Sequence, residues 1–417
     1  MARRTNHEGS VTKREDGRWS VLLSLGTGPD GKRLRRSTTC RTQKEARETL
    51  KAWIAERDAG LDASKDARSL TVAQLMDEFL VFSRDKGIRP KTLENYEGLT
   101  RLHIVPALGH IEVRSLDAWT ITKFLTTRKK VADKGTRLGT EKLSARTARQ
   151  MLVVLRQALE VARKRKVISS NPADDAQAPA ADRYEAKSLT AEQAKRLLGA
   201  LGDHPFGTFY VVLLALGMRP GEVRGLKWGD IRFAHGKEGS GWLTVSRQVQ
   251  RVDGVHKEMP VKTQKGNRRV ALPGFVVRSL QSHRDKQRDQ LTALRASGVE
   301  RPAVWADLVF QNAAGYPVEE RYVVRRFHEL TERLGLPRVR LYDLRRTCVT
   351  LLHAMGVPAN VIKDIVGHSQ IAVTMDYYAD THDPSKTEAA RVMDAALGGG
   401  AEESTTPETV VKALQKD

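Results

Sequence analysis

The stretch "NPADDAQAPAADRYEAKS", residues 171–188, constrains this chain more than any other. It is rich in Ala, Asp and Pro, has no apolar periodicity, and separates two long segments that do have one. At 417 residues the chain is in any case too long for one ordinary core. The stretch therefore reads as an exposed linker between separately folding parts, free to let two halves close like a clamp.

Upstream of the linker two patterns succeed each other. In residues 1–60, "RWSVLLSL" (18–25) reads as a strand, "GTGPDGK" as a turn and "RLRRSTT" (33–39) as a second, basic strand. "TQKE" (42–45) has the spacing of a capping box, and the helix after it sets Ala46, Leu50, Trp53 and Ile54 on one face. A narrow sheet with one packed helix suits the DNA major groove. Residues 69–171 read as all-helical, with Thr71 opening one helix and Ser115 or Asp117 another. "SARTARQMLVVLRQALEVARKRK" (144–166) carries an apolar stripe of Met151, Leu155, Ala158, Leu159 and Ala162. Arg149, Arg156, Arg163, Lys164 and Arg165 are left largely to its other faces.

Downstream, residues 186–398 open on another capping pattern, "TAEQ" (190–193). They are mostly helical, interrupted by "GWLTVSRQ", "QRVDGVHKEMP" and "RRVALP", which read as a small antiparallel sheet. "SKTEAARVMDAAL" (385–397) reads as a short helix and residues 399–417 as a flexible tail. The expected fold class is multidomain α+β. It comprises a small β-sheet-plus-helix N-terminal domain, an all-helical domain, and a mostly helical domain with a small antiparallel sheet.

Charge narrows the function. A net charge of +21 draws a chain to a polyanion, and nucleic acid is the usual one. The basic residues run the whole length, which argues against a single membrane-surface helix. "MARRTNHEGS" has no apolar core of a secretory signal, and the longest apolar run, "FYVVLLALGM" (209–218), is about half a bilayer span. Cys40 and Cys348 make no disulfide framework, and no His-x-x-x-His or Cys-x-x-Cys points to zinc. A cytoplasmic, DNA-associated protein with no membrane partner is expected.

Four islands beyond the linker belong together: "LGMRPGEVRGLKWGDI" (216–231), "VKTQKGNRRVALP" (261–273), "LYDLRRT" (341–347) and "VGHSQIAVTMDYYAD" (366–380). Their order and spacing resemble the catalytic domain of the tyrosine recombinases, the phage integrase family. The resemblance covers nearly the whole chain. It implies an arm-type DNA-binding domain (1–60), a core-site DNA-binding domain (69–171) and a catalytic domain (186–398). It implies an enzyme that cleaves and rejoins DNA through a 3′-phosphotyrosine, integrating or excising a mobile element such as a prophage. The implied partners are double-stranded DNA at core and arm sites, three further copies in a homotetramer, a DNA-bending host factor and an excision directionality factor. The 385–397 helix would dock on a neighbouring subunit. No cofactor or metal is implied, because exchanging one phosphate ester for another needs no ATP and clustered cations can stabilise the charge.

Position by position, Arg219 and Arg345 match the two family arginines, which clamp the non-bridging phosphate oxygens and stay protonated. Lys262 matches the general acid that protonates the leaving 5′-oxygen, with Lys265 its rival on the same loop. His368 matches a hydrogen-bond donor to the phosphate, and Glu222 the acidic position that orients the site. Where the family usually has the His of "H-x-x-R", this chain has Tyr342, a poor base near pH 7, so the general base stays unassigned. Tyr378 sits at the nucleophile position and Tyr377 is the alternative. Helical spacing does not choose, since Ile371 and Met375 lead to Tyr378 but Val373 leads to Tyr377. Two other functions remain open: a type IB topoisomerase-like enzyme, and a non-cleaving DNA-binding regulator on the same fold. The basic N-terminal module argues against the first and the full residue set against the second.

Overall fold

Each capping signal lands at the start of a helix. Thr42 accepts the Glu45 N–H at 3.2 Å ahead of helix Gln43–Asp58. The Glu45 carboxylate reaches back to the Arg41 N–H at 3.0 Å, one residue earlier than a capping box requires. Thr71 with Gln74 and Thr190 with Gln193 close complete boxes before helices Val72–Asp85 and Ala191–Gly199. Asp117, not Ser115, caps helix Ala118–Thr127, accepting the Thr120 N–H at 2.7 Å. Each cap satisfies a donor that the first helical turn leaves without a partner.

The computed structural model describes residues 9–27, 33–59, 69–131, 138–180, 187–234, 241–296, 301–368 and 370. The fold is mixed α+β with small antiparallel sheets. The chain divides into two compact units, one running to Glu185 with Arg251–Val255, the other comprising Ala186–Gln250 and the residues from His256.

In the first unit β1 (Ser10–Lys13), β2 (Trp19–Thr27) and β3 (Arg33–Cys40) form an antiparallel meander. β1 is absent from the sequence reading, because four residues of mixed polarity carry no alternation. Val21, Leu23 and Cys40 bury themselves against Ala46 and Trp53 of the following helix. Arg36 turns toward that helix as well, its guanidinium 4.1 Å above the Trp53 ring and paired with Glu56. Arg33 and Arg35 stay exposed on the strand.

A second apolar cluster joins helices Val72–Asp85, Pro90–Leu99, Ala118–Thr127 and Ala145–Lys164 around Met76, Phe79, Ile121 and Leu125. The stripe Met151, Leu155, Ala158, Leu159 and Ala162 is buried there. Two expectations need correction. The segment is not all-helical, because β4 (Lys129–Val131) and β5 (Leu138–Lys142) pair antiparallel. Residues 128–142 hold few apolar side chains at helical spacing, and pairing satisfies backbone groups that such a stretch cannot bury in a helix. Nor is the linker exposed from its start. Asn171 is buried and donates from Nδ2 to the Arg156 carbonyl at 3.0 Å, and the Gln177 N–H donates to Thr122 Oγ1 at 3.0 Å. These bonds tie residues 171–177 to the helices.

The second unit is built around helix Gly207–Leu216, which is apolar on all sides because nearly all its side chains are buried. β6 (Ile231–Phe233), β7 (Gly241–Val245), β8 (Arg247–Val252), β9 (Val255–Pro260) and β10 (Arg268–Ala271) follow. Three of them form a sheet in the order β10-β7-β6, and its inward Val270, Leu243 and Ile231 join the core. β8 and β9 form a hairpin, and its two turn residues, Asp253 (φ 52°) and Gly254 (φ 77°), which group with the first unit, both take the left-handed conformation. Asp-Gly is among the dipeptides that accept it most readily. Among the described residues, no helix is long and apolar enough to cross a membrane.

Gly217 ends helix Gly207–Leu216 in the left-handed conformation, at φ 58°. A Cβ there would stand 2.7 Å from Val366 Cγ1 and 3.3 Å from Cys348 Sγ. Three helices therefore meet at this one stop. Gly217→Ala is expected to lower the unfolding free energy by roughly 1–3 kcal/mol in urea titrations. An unchanged midpoint would show that the junction tolerates a side chain.

Candidate active site

The site begins where Gly217 stops the core helix. Arg219 is the N-cap of helix Pro220–Arg224, and Pro220 at its first position lacks the N–H that would go unsatisfied there. Glu222, one turn in, reaches back. Its Oε2 accepts the Arg219 N–H at 3.0 Å and its Oε1 accepts Arg219 Nη1 at 2.7 Å. Arg268 on β10 also donates to Glu222 Oε2, from Nη2 at 3.1 Å. One carboxylate, only 2% exposed, thus holds two guanidiniums. Burial pushes the Glu222 carboxyl up, but the Arg268 and Arg219 charges outweigh it and hold it below the ordinary glutamate value.

Arg345 lies on helix Asp343–Ala354 and is 1% exposed. Its Nη1 donates to the Gly217 carbonyl at 2.6 Å. Its Nε and Nη2 are buried with no hydrogen-bond partner among the described residues. Burial, then the Arg219 charge, pulls this guanidinium down to about 10, so it stays protonated at neutral pH. Helix Ala359–Val366 ends on Gly367, again left-handed (φ 70°), and His368 follows, buried. The Gly367 carbonyl accepts Arg219 Nη2 at 3.4 Å, and the His368 N–H donates to the Lys363 carbonyl at 3.0 Å. Burial, then the charges of Arg345, Arg219 and Arg268, drives the His368 imidazole down to about 3, so it is neutral at pH 7.

Arg219, Glu222, Arg345 and His368 are thus brought together. Tyr342 stands at the N-cap of the Arg345 helix, 45% exposed, and its carbonyl accepts the Arg345 N–H at 3.2 Å. Lys262 and Lys265 are both exposed on the loop from β9 to β10. Tyr377 and Tyr378 lie outside the described residues, as do the 385–397 helix and the 399–417 tail. Cys348, beside Gly217, is buried, which pushes its thiol up to about 12 and leaves it unreactive. Among the described residues, no group of three or more His, Cys, Asp or Glu side chains could hold a metal ion. What the cluster can do is accept an anion. Two arginines pair with one carboxylate, and a third, Arg345, is buried with two nitrogens, Nε and Nη2, that have no hydrogen-bond partner among the described residues.

Two models from one family match this chain. The phage integrase family model covers residues 187–383, and that of the phage integrase N-terminal SAM-like domain covers 71–127. The chain belongs to the phage integrase family of tyrosine recombinases. The "Integrase" of Streptomyces ambofaciens is 29% identical to it, covering 92% of this chain and 94% of its own length. The ICEBs1 integrase of Bacillus subtilis (strain 168) is 24% identical, covering 93% and 100%. A structure of the Tn1549 transposon integrase in complex with a circular intermediate DNA matches with a TM-score of 0.60 at 24% identity, over 78% of this chain and 100% of that one. A lambda integrase dimer bound to a COC′ core site matches with 0.53 at 17%, over 92% and 99%. These two likenesses establish the fold.

For this phage integrase family member, sequence reasoning missed Arg268. A signal was present: β10 alternates, with Arg268 and Val270 inward and Arg269 and Ala271 outward. An arginine in step with a core valine needs buried partners.

His368 generates a prediction. Its folded value of about 3 lies below the ordinary 6.5, so between the two the unfolded chain binds the extra proton and stability falls as pH falls. After burial, the charges that lower it are those of Arg345, Arg219 and Arg268. Between pH 7 and pH 5 the wild type should lose about 2 kcal/mol more unfolding free energy than His368→Gln. Urea titrations of both proteins at both pH values check this, and parallel pH dependence would contradict it.

Proposed function

We propose that this chain is a site-specific DNA recombinase that cleaves and rejoins double-stranded DNA through a 3′-phosphotyrosine, integrating or excising a mobile element. The observation that carries the reading is the buried Nε and Nη2 edge of Arg345, without a partner among the described residues, beside Arg219 and a neutral His368. A scissile phosphate would supply the negative charge and the acceptors that those donors call for. Two of its non-bridging oxygens take the fork of Arg345 and the outer edge of Arg219, and His368 adds a neutral N–H.

In this reading the Tyr378 hydroxyl attacks phosphorus, its proton passing to water or a neighbouring base. The bond to the 5′-oxygen breaks, and Lys262 gives that oxygen a proton. The DNA 5′-hydroxyl later attacks the phosphotyrosine, and the tyrosine leaves with its proton restored. Fixed cations offset the charge that builds on the phosphate oxygens at each step, so neither step asks for a nucleotide or a divalent ion. Tyr342, exposed at the entrance to the Arg345 helix, would donate a hydrogen bond to the phosphate and not act as the base.

The organisation follows the same reading. Residues 1–60 would contact arm sites with Arg33 and Arg35, residues 69–171 the core site, and residues 186–398 the scissile phosphate, ahead of the 399–417 tail. Four copies would assemble on two duplexes in the cytoplasm, helped by a DNA-bending host factor and a directionality factor. The lambda integrase is known as a tetramer bound to a Holliday junction.

A nicked core-site duplex, from which the cleaved end diffuses away, traps the covalent adduct. Tyr378→Phe is expected to give no adduct while still binding DNA, and Tyr377→Phe to give it in full. Chelator should leave trapping unchanged. An adduct on Tyr377, or strict dependence on a divalent ion, would refute the reading.

A further inference from the structure

Arg268 has no part in the chemistry above, yet each of its three guanidinium nitrogens makes a hydrogen bond beside the site. Nε donates to the Ile365 carbonyl at 2.7 Å, Nη1 to the Gly266 carbonyl at 3.1 Å and Nη2 to Glu222 Oε2 at 3.1 Å. Those acceptors belong to three elements: helix Ala359–Val366, the β9–β10 loop that carries the lysines, and helix Pro220–Arg224. The side chain is only 6% exposed, so substrate does not reach its charged end. Packing around it is equally close. A Cβ on Gly367 would stand 3.0 Å from Arg268 Cδ, from Arg268 Nη1 and from the Lys265 carbonyl. His368 is the next residue in the chain.

Only a planar fork can give hydrogen bonds along these three directions from one head group. An ammonium has three donors too, but they leave one nitrogen and cannot reach acceptors spaced to meet three separate nitrogens. The contacts also form a closed circuit. Arg268 holds Glu222, Glu222 holds the Arg219 backbone and side chain, and Arg219 returns to the Gly367 carbonyl.

Resting on the recombinase reading, we propose that Arg268 is a positioning residue that sets Arg219, through Glu222, and His368, through Ile365 and Gly367, in one rigid frame. The loop bearing Lys262 and Lys265 ends on the same guanidinium and is registered to that frame. The structure supplies the reason such a residue is needed: the phosphate contacts come from elements far apart in sequence, and no single helix or strand aligns them. A misplacement on the order of 1 Å at a reacting centre costs about 100-fold in rate.

Full-length Arg268→Lys, which keeps the charge and loses the fork, and Arg268→Gln, which loses both, test this. Each is compared with wild type for single-turnover cleavage of the nicked core-site duplex, core-site affinity and the NMR signals of the His368 ring. Both variants should cleave about 100-fold more slowly with affinity unchanged. The His368 signal should move in both, and its titration midpoint should rise in Arg268→Gln. Wild-type cleavage by Arg268→Lys would reduce the role to charge and overturn the proposal. So would slow cleavage matched by an equal loss of DNA binding, the mark of general unfolding. If Arg268→Gln does not fold, Arg268→Lys decides alone. If wild type itself forms no adduct, the recombinase reading fails. The His368 signal in Arg268→Lys then decides on the frame, and an unmoved signal rejects it.

Discussion

Two guanidiniums on one buried carboxylate organise the catalytic region. Glu222 holds Arg219 on one side and Arg268 on the other, and both bonds are made inside the protein. Burying such charges costs several kcal/mol for each ion, and that cost is offset only when hydrogen bonds satisfy the group nearly completely. Glu222 meets the condition for itself and for Arg268. It does not meet it for the site as a whole, because Arg345 brings a third positive charge beside them with no carboxylate of its own among the described residues.

That imbalance links stability to function. Arg345 keeps two buried donors without partners among the described residues, and burial together with neighbouring positive charge pulls its proton affinity down. Unpaired buried donors cost about 1–3 kcal/mol each in the free protein. The same feature makes the site complementary to an anion and hostile to a cation. Burial, and then the three positive charges that a protonated imidazole would face, keep His368 neutral. The left-handed glycines serve this arrangement from outside. Gly217 turns its carbonyl to Arg345, and Gly367 lets the chain pass close above Arg268 before presenting His368.

How much of this was legible in the sequence depended on the range of the interaction. Thr71 with Gln74, Thr190 with Gln193 and Asp253 with Gly254 act within a turn, and their spacing shows where elements start and reverse. Arg219 and Glu222 are likewise one turn apart, and the resemblance singled out both, although the cap they form appears only in the structure. β1 and the β4–β5 ribbon were not legible, because their pairing rests on backbone bonds that leave no side-chain period. Arg268 was hidden for a different reason. Its partners at 222, 266 and 365 converge only in the folded chain, and a basic residue in a basic protein does not stand out. The linker misled in its first half, where Asn171 has the composition of a loop and the bonding of a clasp.

The central claim is that the open edge of Arg345 exists to neutralise a phosphate charge. It is tested most directly by single-turnover cleavage of a core-site duplex whose scissile phosphate is replaced by a neutral methylphosphonate. On the ordinary phosphodiester, Arg345→Ala should be slower than wild type by about 100-fold or more, the usual loss for one preorganised donor set. On the neutral ester there is no charge left to clamp, and the gap between the two proteins should largely close. An equal gap on both substrates would contradict the account, because Arg345 would then be holding the fold and not the phosphate.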